Sequence, residues 1–540
     1  MNAKRMLLLV AAAWPVGAGA QMIAPLPMRS PAADGDADVA GSDTLGRAIA
    51  DAYRSNPDLE AQRAGLRSAD EAIVQAGAPY RLNASLNADF DYLARGGRQG
   101  IDRFDTVRQR GMGLTLSASQ ILINGGRTAA QVSVAEAASL AGRERLRQVE
   151  NAILYEVVDA YLSVRRDQAL IGIQRRSLDS YGRQVDQAVA RERGGDLTRT
   201  DIAQARAQRE IIRAQLAQAE ANLQNSRARF AVAVGRNPGA LSDPPTLTGL
   251  PASLEAAYRI AEKESPALWQ ATLAARSGDA RIAAERAERA PVVALTGSVG
   301  YANTSSYRIG DLRPQATGGV SVTMPLLTGG IIGSRVRAAV ADRQRLGFEV
   351  EAARRGALAA TQEAWNQSVA ATEQQAAGSL ATEAAETALT GVRRSFAEGF
   401  RSNFEVLDSE QRLLTAQLVA TNAAYANYTA QARLLATLGR LQASLVDQAV
   451  PAYDPDVSLR RARSGQVGSF EAVLAPLDRA QMPSGDAPPA PRLAYPTDTD
   501  LRSAEVTMLP PPLGTALPIA APLLAVPGAD DLANGRLAGG

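Results

Sequence analysis

Two hydrophobic periods run through this chain. In "YRLNASLNADFDY", Leu82, Ala84, Leu86, Ala88, Phe90 and Tyr92 alternate with Arg81, Asn83, Ser85, Asn87, Asp89 and Asp91. A period of two predicts a β-strand with one apolar face and one wet, charged face. Three other stretches alternate likewise. Met112, Leu114, Leu116 and Ala118 stand against Gly113, Thr115, Ser117 and Ser119. Val293, Leu295, Val299 and Tyr301 stand against Ala294, Thr296, Ser298 and Gly300, and Val320, Val322 and Met324 against Ser321 and Thr323. The pattern predicts four strands of about ten residues, near the ~9–11 that a tilted bilayer-spanning strand needs.

The second period is helical and covers most of the rest. No proline occurs between Pro79 and Pro238 or between Pro325 and Pro451, and these blocks are rich in Ala, Leu, Gln, Arg and Glu, which favour helix. After each Gly-Gly pair, at Gly125-Gly126 and Gly329-Gly330, the pattern predicts about seventy helical residues, roughly 100 Å at ~1.5 Å per residue, with breaks expected in so long an element. Ile202, Ala205, Ile212, Leu216, Ala219 and Leu223 then recur at spacings of three, four and seven, a coiled-coil-like stripe.

The two blocks repeat each other. "TLGRAIADAYRSNP" (44–57) matches "SLEAAYRIAEKESP" (253–266), and Gly125-Gly126, Gly195 and Gly235-Arg236 recur 204 residues later as Gly329-Gly330, Gly399 and Gly439-Arg440. A duplication is the economical reading, since the period is too long for a solenoid. It divides the chain into a signal peptide (1–20), an extended linker (21–42), a first repeat (43–240), a linker (241–252), a second repeat (253–445) and a Pro/Ala-rich tail (446–540). The tail is expected to be largely disordered, with a short helix around Phe470 to Leu477.

Composition narrows the chemistry. Lys4 and Arg5 precede the apolar run Met6–Ala13 and the small residues Ala18-Gly19-Ala20, the layout of an export signal cleaved before Gln21. The formal charge is +2 and the signal carries two cations and no acid. The exported chain therefore has charge 2 − 2 = 0, which gives no footprint for nucleic acid. There is no Cys or His, and Lys4 and Lys263 are the only lysines. A Ser-His-Asp triad, a thiol nucleophile, the usual zinc sites and a Gly-Lys-Ser/Thr phosphate loop are thus excluded. Gly-Gly-x-x-Gly at 329–333 lacks the G-x-G-x-x-G register, so no cofactor is expected. The most apolar late stretch, "LPPPLGTALPIAAPLLAVPGA", holds six prolines and cannot be a membrane helix. If the chain crosses a membrane, it does so with strands. Four strands are too few to close a barrel, and open edges in lipid leave backbone groups unpaired. Copies must then pool strands: two would supply eight and three would supply twelve.

"LGRAIADAYRSNP", "ILINGGR", "MPLLTGGIIGSRV", "RERGGDLTRTDIAQARAQ" and "FAEGFRSNFEVLDSEQRLLTAQ" together resemble the outer-membrane efflux protein family, the TolC-like channels, over about 43–445. The resemblance implies a mostly α fold with a membrane β-barrel: a homotrimer whose shared twelve-stranded barrel sits in the outer membrane above a periplasmic helical tunnel. On this pattern Leu82, Leu86, Phe90, Tyr92, Leu114, Leu116, Val293, Leu295, Val320 and Val322 would face lipid. Glu405 and Asp408 would form acidic rings at the closed periplasmic end. Read from the residues alone, they share a helix face, and Asp408 stands four before Arg412, so a solvated ion pair is equally open. Thr200, Asp201, Phe396 and Arg401 fall on the positions that tie inner to outer helices when closed. Phe396 replaces a tyrosine and Glu405 is longer than the usual aspartate. Closure is therefore expected to rest on Arg401 reaching Asp201 or Thr200.

The turns at Gly194, Gly195 and Gly399 would meet a periplasmic membrane-fusion adaptor working with an inner-membrane ABC or proton-driven transporter. The expected role is a passive export duct, not an enzyme, with type I protein secretion favoured over small-molecule efflux because many drug-efflux members carry a lipidated Cys. A periplasmic coiled-coil scaffold is the rival that leaves the strands unexplained.

Overall fold

The computed structural model describes residues 43–99, 103–303, 306–442, 453–464 and 471–486. The expected signal peptide, the linker 21–42 and residues 487–540 lie outside them. The described chain is mostly helical with one four-stranded sheet.

Each repeat starts with a short helix, α1 (Leu45–Ser55) or α5 (Leu254–Glu264), followed at once by a proline-led helix, α2 (Pro57–Ala76) or α6 (Pro266–Ala287). Proline at the first helical position tolerates the missing N–H there but cannot continue the helix before it. Asn56 marks the break, its side chain accepting from the amides of Asp58 and Leu59. The strands β1 (Asn83–Gln99) and β2 (Arg103–Ile123) follow in the first repeat, and β3 (Val292–Asn303) and β4 (Arg313–Thr323) in the second.

The sheet is antiparallel in the order β1-β2-β3-β4, so β1 and β4 each have one edge without a partner among the described residues. Its register aligns the alternation across all four strands. One row reads Leu86, Leu116, Val299, Ala316, and the adjacent row reads Ser85, Ser117, Ser298, Thr317. Directly opposed residues share a face, so over these rows the sheet has one apolar side and one polar side, with Gln120 opposite Leu295 as an exception. Leu82, Leu86, Phe90, Tyr92, Leu116, Leu295, Val320 and Val322 are all exposed, while Leu114 and Val293 are half-buried.

The first hairpin departs from the expected length, with strands of 17 and 21 residues against 12 and 11 in the second. Past Tyr92 the chain turns rich in glycine and charge and the alternation lapses. The ladder nevertheless runs on to Gln99↔Arg103, because pairing needs only backbone groups. The last nine residues of that ladder on β2, 103–111, pair with β1 alone.

The long helices α3 (Arg127–Arg193) and α7 (Ile331–Ala397) have 67 residues each, and neither shows the expected break. Proline is absent from both, and one internal glycine of α7 serves packing. A Cβ at Gly378 would sit 3.0 Å from the Ala420 backbone, so glycine there lets the returning helix approach closely. Each long helix turns back into α4 (Arg199–Val234) or α8 (Asn403–Thr437). The glycine pairs at an offset of 204 all hold positive φ: Gly126 and Gly330, Gly195 and Gly399, Gly235 and Gly439. In that region a Cβ is disfavoured.

The arginine after the last of these glycines closes each repeat. Arg236 grips Asp43 through two bonds of 2.7 Å and Asp51 through one of 2.8 Å. Arg440 holds Glu264 at 2.6 and 2.8 Å. The main core lies beside the first of these locks, where Leu45, Ile49 and Tyr53 meet Val157, Val158, Tyr161, Phe230 and Leu435. Among the described residues, no helix is long and apolar enough to cross a membrane.

Among the described residues of the tail are the helices α9 (Asp456–Ser464) and α10 (Glu471–Gln481); the second is the short helix expected there. The Arg63 guanidinium lies between the rings of Tyr53 and Tyr453, 4.5 and 5.1 Å from their centroids, and Arg143 pairs with Asp456 at 2.7 Å. Asp478 of α10 is buried and accepts from the Tyr80 hydroxyl (2.9 Å) and from the amides of Gly126 (2.8 Å) and Ala129 (2.9 Å). Gly126 has no side chain to cap α3, so the tail supplies the cap. Replacing Asp478 with Ala removes about 1–2 kcal/mol of capping and charge–dipole stabilisation. Limited trypsinolysis should then cut faster after Arg479; an unchanged rate would show that the cap does not hold the tail.

Candidate functional site at the helical tips

The two turns at the far ends of the long helices are built alike. After α3, Gly195 at φ +84° lets the Asp196 amide reach the Arg191 carbonyl at 2.9 Å; after α7, Gly399 at φ +84° lets the Phe400 amide reach Ser395 at 2.9 Å. Gly194 precedes Gly195 in the right-handed region at φ −81°. Three residues beyond each left-handed glycine, Thr198 or Ser402 caps the returning helix. Asp201 and Glu405 complete the boxes, their carboxylates accepting from the Thr198 and Ser402 amides at 2.9 and 2.8 Å. The signal is legible in the chain as Thr-x-x-Asp and Ser-x-x-Glu, though no capping box was expected at either tip.

These contacts govern the acids. The Ser402 amide first, then the Arg401 guanidinium, hold the Glu405 carboxyl below the ordinary glutamate range. The Thr198 hydroxyl does the same for Asp201. Arg401 therefore pairs with Glu405 one turn on, where the sequence led us to expect Asp201 or Thr200; Asp201 is engaged with its own cap, and Thr200 is exposed. Asp408 pairs with Arg412 at 2.9 Å; the arginine is largely exposed and the carboxylate partly so. Within one chain each of the two acids, Glu405 and Asp408, is thus a member of a local ion pair.

Phe396 touches the first hairpin: the Arg191 guanidinium of α3 lies 4.4 Å from its ring centroid, a cation–π contact that needs no hydroxyl. Phe400 and Phe404, which the sequence did not single out, are 80% and 62% exposed at the second tip. Deeper in, Tyr181, Val185, Ile212, Leu407 and Leu414 form a second apolar cluster joining α3, α4 and α8. Burial, and then the charge of Glu410, push the Tyr181 hydroxyl well above its usual pKa. It stays protonated and donates to the Leu407 carbonyl at 3.3 Å.

A family model described as "Outer membrane efflux protein" matches residues 48–236 and 257–440, the two structural repeats without the tail. The chain is 30% identical over 418 residues to the outer membrane efflux protein BepC of Brucella suis biovar 1 (strain 1330), covering 77% of this chain and 89% of that one. It is 24% identical to the outer membrane protein TolC of Escherichia coli (strain K12), with 72% and 80% covered. It is 26% identical to the alkaline protease secretion protein AprF of Pseudomonas aeruginosa, with 58% and 66% covered. The solved structure of CusC, which concerns transmembrane channel formation, superposes with a TM-score of 0.65 at 20% identity, covering 74% of this chain and 92% of that one. The doubled helix–strand–strand–helix order, the four-stranded sheet and the matched repeats lead to one assignment: the chain belongs to the outer membrane efflux protein family, channels of the outer membrane whose long helices stand in the periplasm.

Proposed function

We propose that three copies of this chain close one twelve-stranded barrel, four strands from each, and act as the passive exit duct of a type I protein secretion system. The observation that carries this reading is the sheet: a largely apolar face, a polar face, and two edges that are unpaired among the described residues and that other copies would satisfy. The helices support it. Of two helices equal in length, α3 buries twenty-four residues and α7 only eight, which leaves α7 a long free side for a neighbouring copy. The apolar row then meets lipid and the polar row lines water.

At the periplasmic end, Glu405 and Asp408 become two acidic rings that favour cations. The exposed Phe400 and the turns at Gly194, Gly195 and Gly399 give a periplasmic membrane-fusion adaptor an apolar tip to grip, beneath which an inner-membrane ABC transporter supplies energy. AprF is named for secretion of a protease and favours the protein-export reading; the name of BepC favours the alternative, small-molecule efflux beside a proton-driven pump. A deletion strain separates them. Loss of a secreted protein from the medium with unchanged drug susceptibility supports export, and the converse result supports efflux.

The gate has its own test in planar bilayers. Arg401→Ser should raise open probability. Glu405→Gln with Asp408→Asn should weaken cation selectivity, while the substituted glutamine still reaches the Ser402 amide and keeps the cap. No change in either removes these residues from the gate. Osmotic shock tests the scaffold alternative, because a periplasmic scaffold is released whereas a barrel stays with the membrane until detergent is added.

A further inference from the structure

One buried carboxylate near the tips holds the two helical hairpins to each other. Glu410 lies on the face of α8 that carries Leu407 and Leu414, and those leucines are embedded in the second apolar cluster. A charge in such a seam is strongly unfavourable unless it is paired. Glu410 is 6% exposed. Its Oε1 accepts from Gln184 Nε2 at 2.6 Å, from Arg393 Nη2 at 2.6 Å and from Ser180 Oγ at 3.1 Å. Gln184 and Ser180 belong to α3, Arg393 to α7 and Glu410 to α8, so both hairpins converge on one oxygen. Arg393 also donates to Ser180 Oγ at 3.2 Å. Its own side chain stays 49% exposed because it lines an open groove of about 600 Å³ with Arg191 and Phe396.

We propose that Glu410 is the register pin of the gate: it fixes the seat of α8 in the groove between α3 and α4, and the tips part only when it leaves Gln184 and Ser180. This rests on the gated-duct reading above, but the pin is complete within one chain, unlike rings that need three. A polar group in an apolar seam is satisfied in a single register, whereas leucines alone tolerate several. The pin is also releasable, since acid and guanidinium pass into water together when the seam slides.

The two partners are unequal, and the inequality is the test. Removing Arg393 leaves a buried carboxylate without its cation, which favours any motion that hydrates it. Removing Glu410 leaves a half-exposed guanidinium that water already solvates. In planar bilayers containing the full-length oligomer, Arg393→Gln should raise open probability by about tenfold or more and Glu410→Gln by only about two- to threefold. The double variant should fall back to the Glu410→Gln level, and Arg393→Lys should stay near wild type. If Arg393→Gln fails to assemble, adding Glu410→Gln should restore assembly. A double variant more open than either single one, failed restoration of assembly, or an Arg393→Gln channel as closed as wild type would overturn the pin. A wild-type oligomer that carries no current under any condition would overturn the duct reading instead.

Discussion

An arginine at Val299 is expected to abolish recovery of assembled protein from the outer membrane, while an arginine at Ser298 leaves it near wild type. The two positions are adjacent in sequence but opposite in the sheet. Val299 stands in the row of Leu86, Leu116 and Ala316, and Ser298 in the row of Ser85, Ser117 and Thr317. Arginine on the lipid face of a barrel costs about 2–4 kcal/mol near the bilayer midplane, and three copies would multiply this to roughly 6–12. That is comparable with the whole net stability of a typical fold, about 5–15 kcal/mol. At Ser298 the guanidinium would enter water, and the main loss is the 2.7 Å hydrogen bond to Thr317, about 1 kcal/mol. SDS-resistant oligomer in the membrane fraction reads the outcome. Equal recovery of the two variants would mean that the apolar row does not face lipid.

Replacing Arg236 with Met should destabilise the first repeat by about 3 kcal/mol, the low end for breaking a buried pair because the guanidinium is partly exposed. Asp43 is only 5% exposed and would lose both of its bonds to Arg236. Burial alone would raise the Asp43 pKa, but Arg236 and the Gly239 amide outweigh it and hold the carboxyl below its ordinary value. A depressed folded-state pKa contributes stability that is full above the unfolded value, about 3.9, and is lost as pH falls through the folded one. In the variant the uncompensated Asp43 binds a proton more readily, so the gap from wild type should narrow between pH 7 and pH 4. Arg440→Met is the internal control, since Arg440 and Glu264 are both about a third exposed and such a pair contributes about 0–1 kcal/mol. Denaturant midpoints at the two pH values decide. A pH-independent gap, or equal losses at both arginines, would refute the assignment.

Legibility in the sequence followed the range of the interaction. Strand faces depend on neighbours two residues apart, so Leu82 to Tyr92 revealed their side at once, and the glycines that reverse the helices were visible because each recurs in the second repeat. The absence of breaks in α3 and α7 was not visible, because it depends on continuous lateral packing such as Ala420 against Gly378. The partner that Arg401 has within one chain, Glu405, was hidden for the opposite reason. The contact to Glu405 is local, and a capping box four residues long outcompetes a bridge between hairpins. Two groups could not be read from their surroundings in the chain. Glu410 meets Gln184 across 226 positions, and Asp478 meets Gly126 across 352; in sequence each is one acid among many on a helix.

The unequal hairpins shape the outer mouth of the duct. With the helices in the periplasm, the far ends of the strands point away from the cell, and the nine-residue overhang of the first hairpin extends roughly 30 Å along the strand past the last rung it shares with β3. The shorter turn leans on the base of that overhang: the Tyr307 hydroxyl donates to the Asp91 carbonyl at 2.9 Å, and the Arg110 guanidinium lies 5.9 Å from the Tyr307 ring. A trimer would therefore wear three buttressed spires, and a phage or antibody approaching from the medium would meet them before it reached the rim.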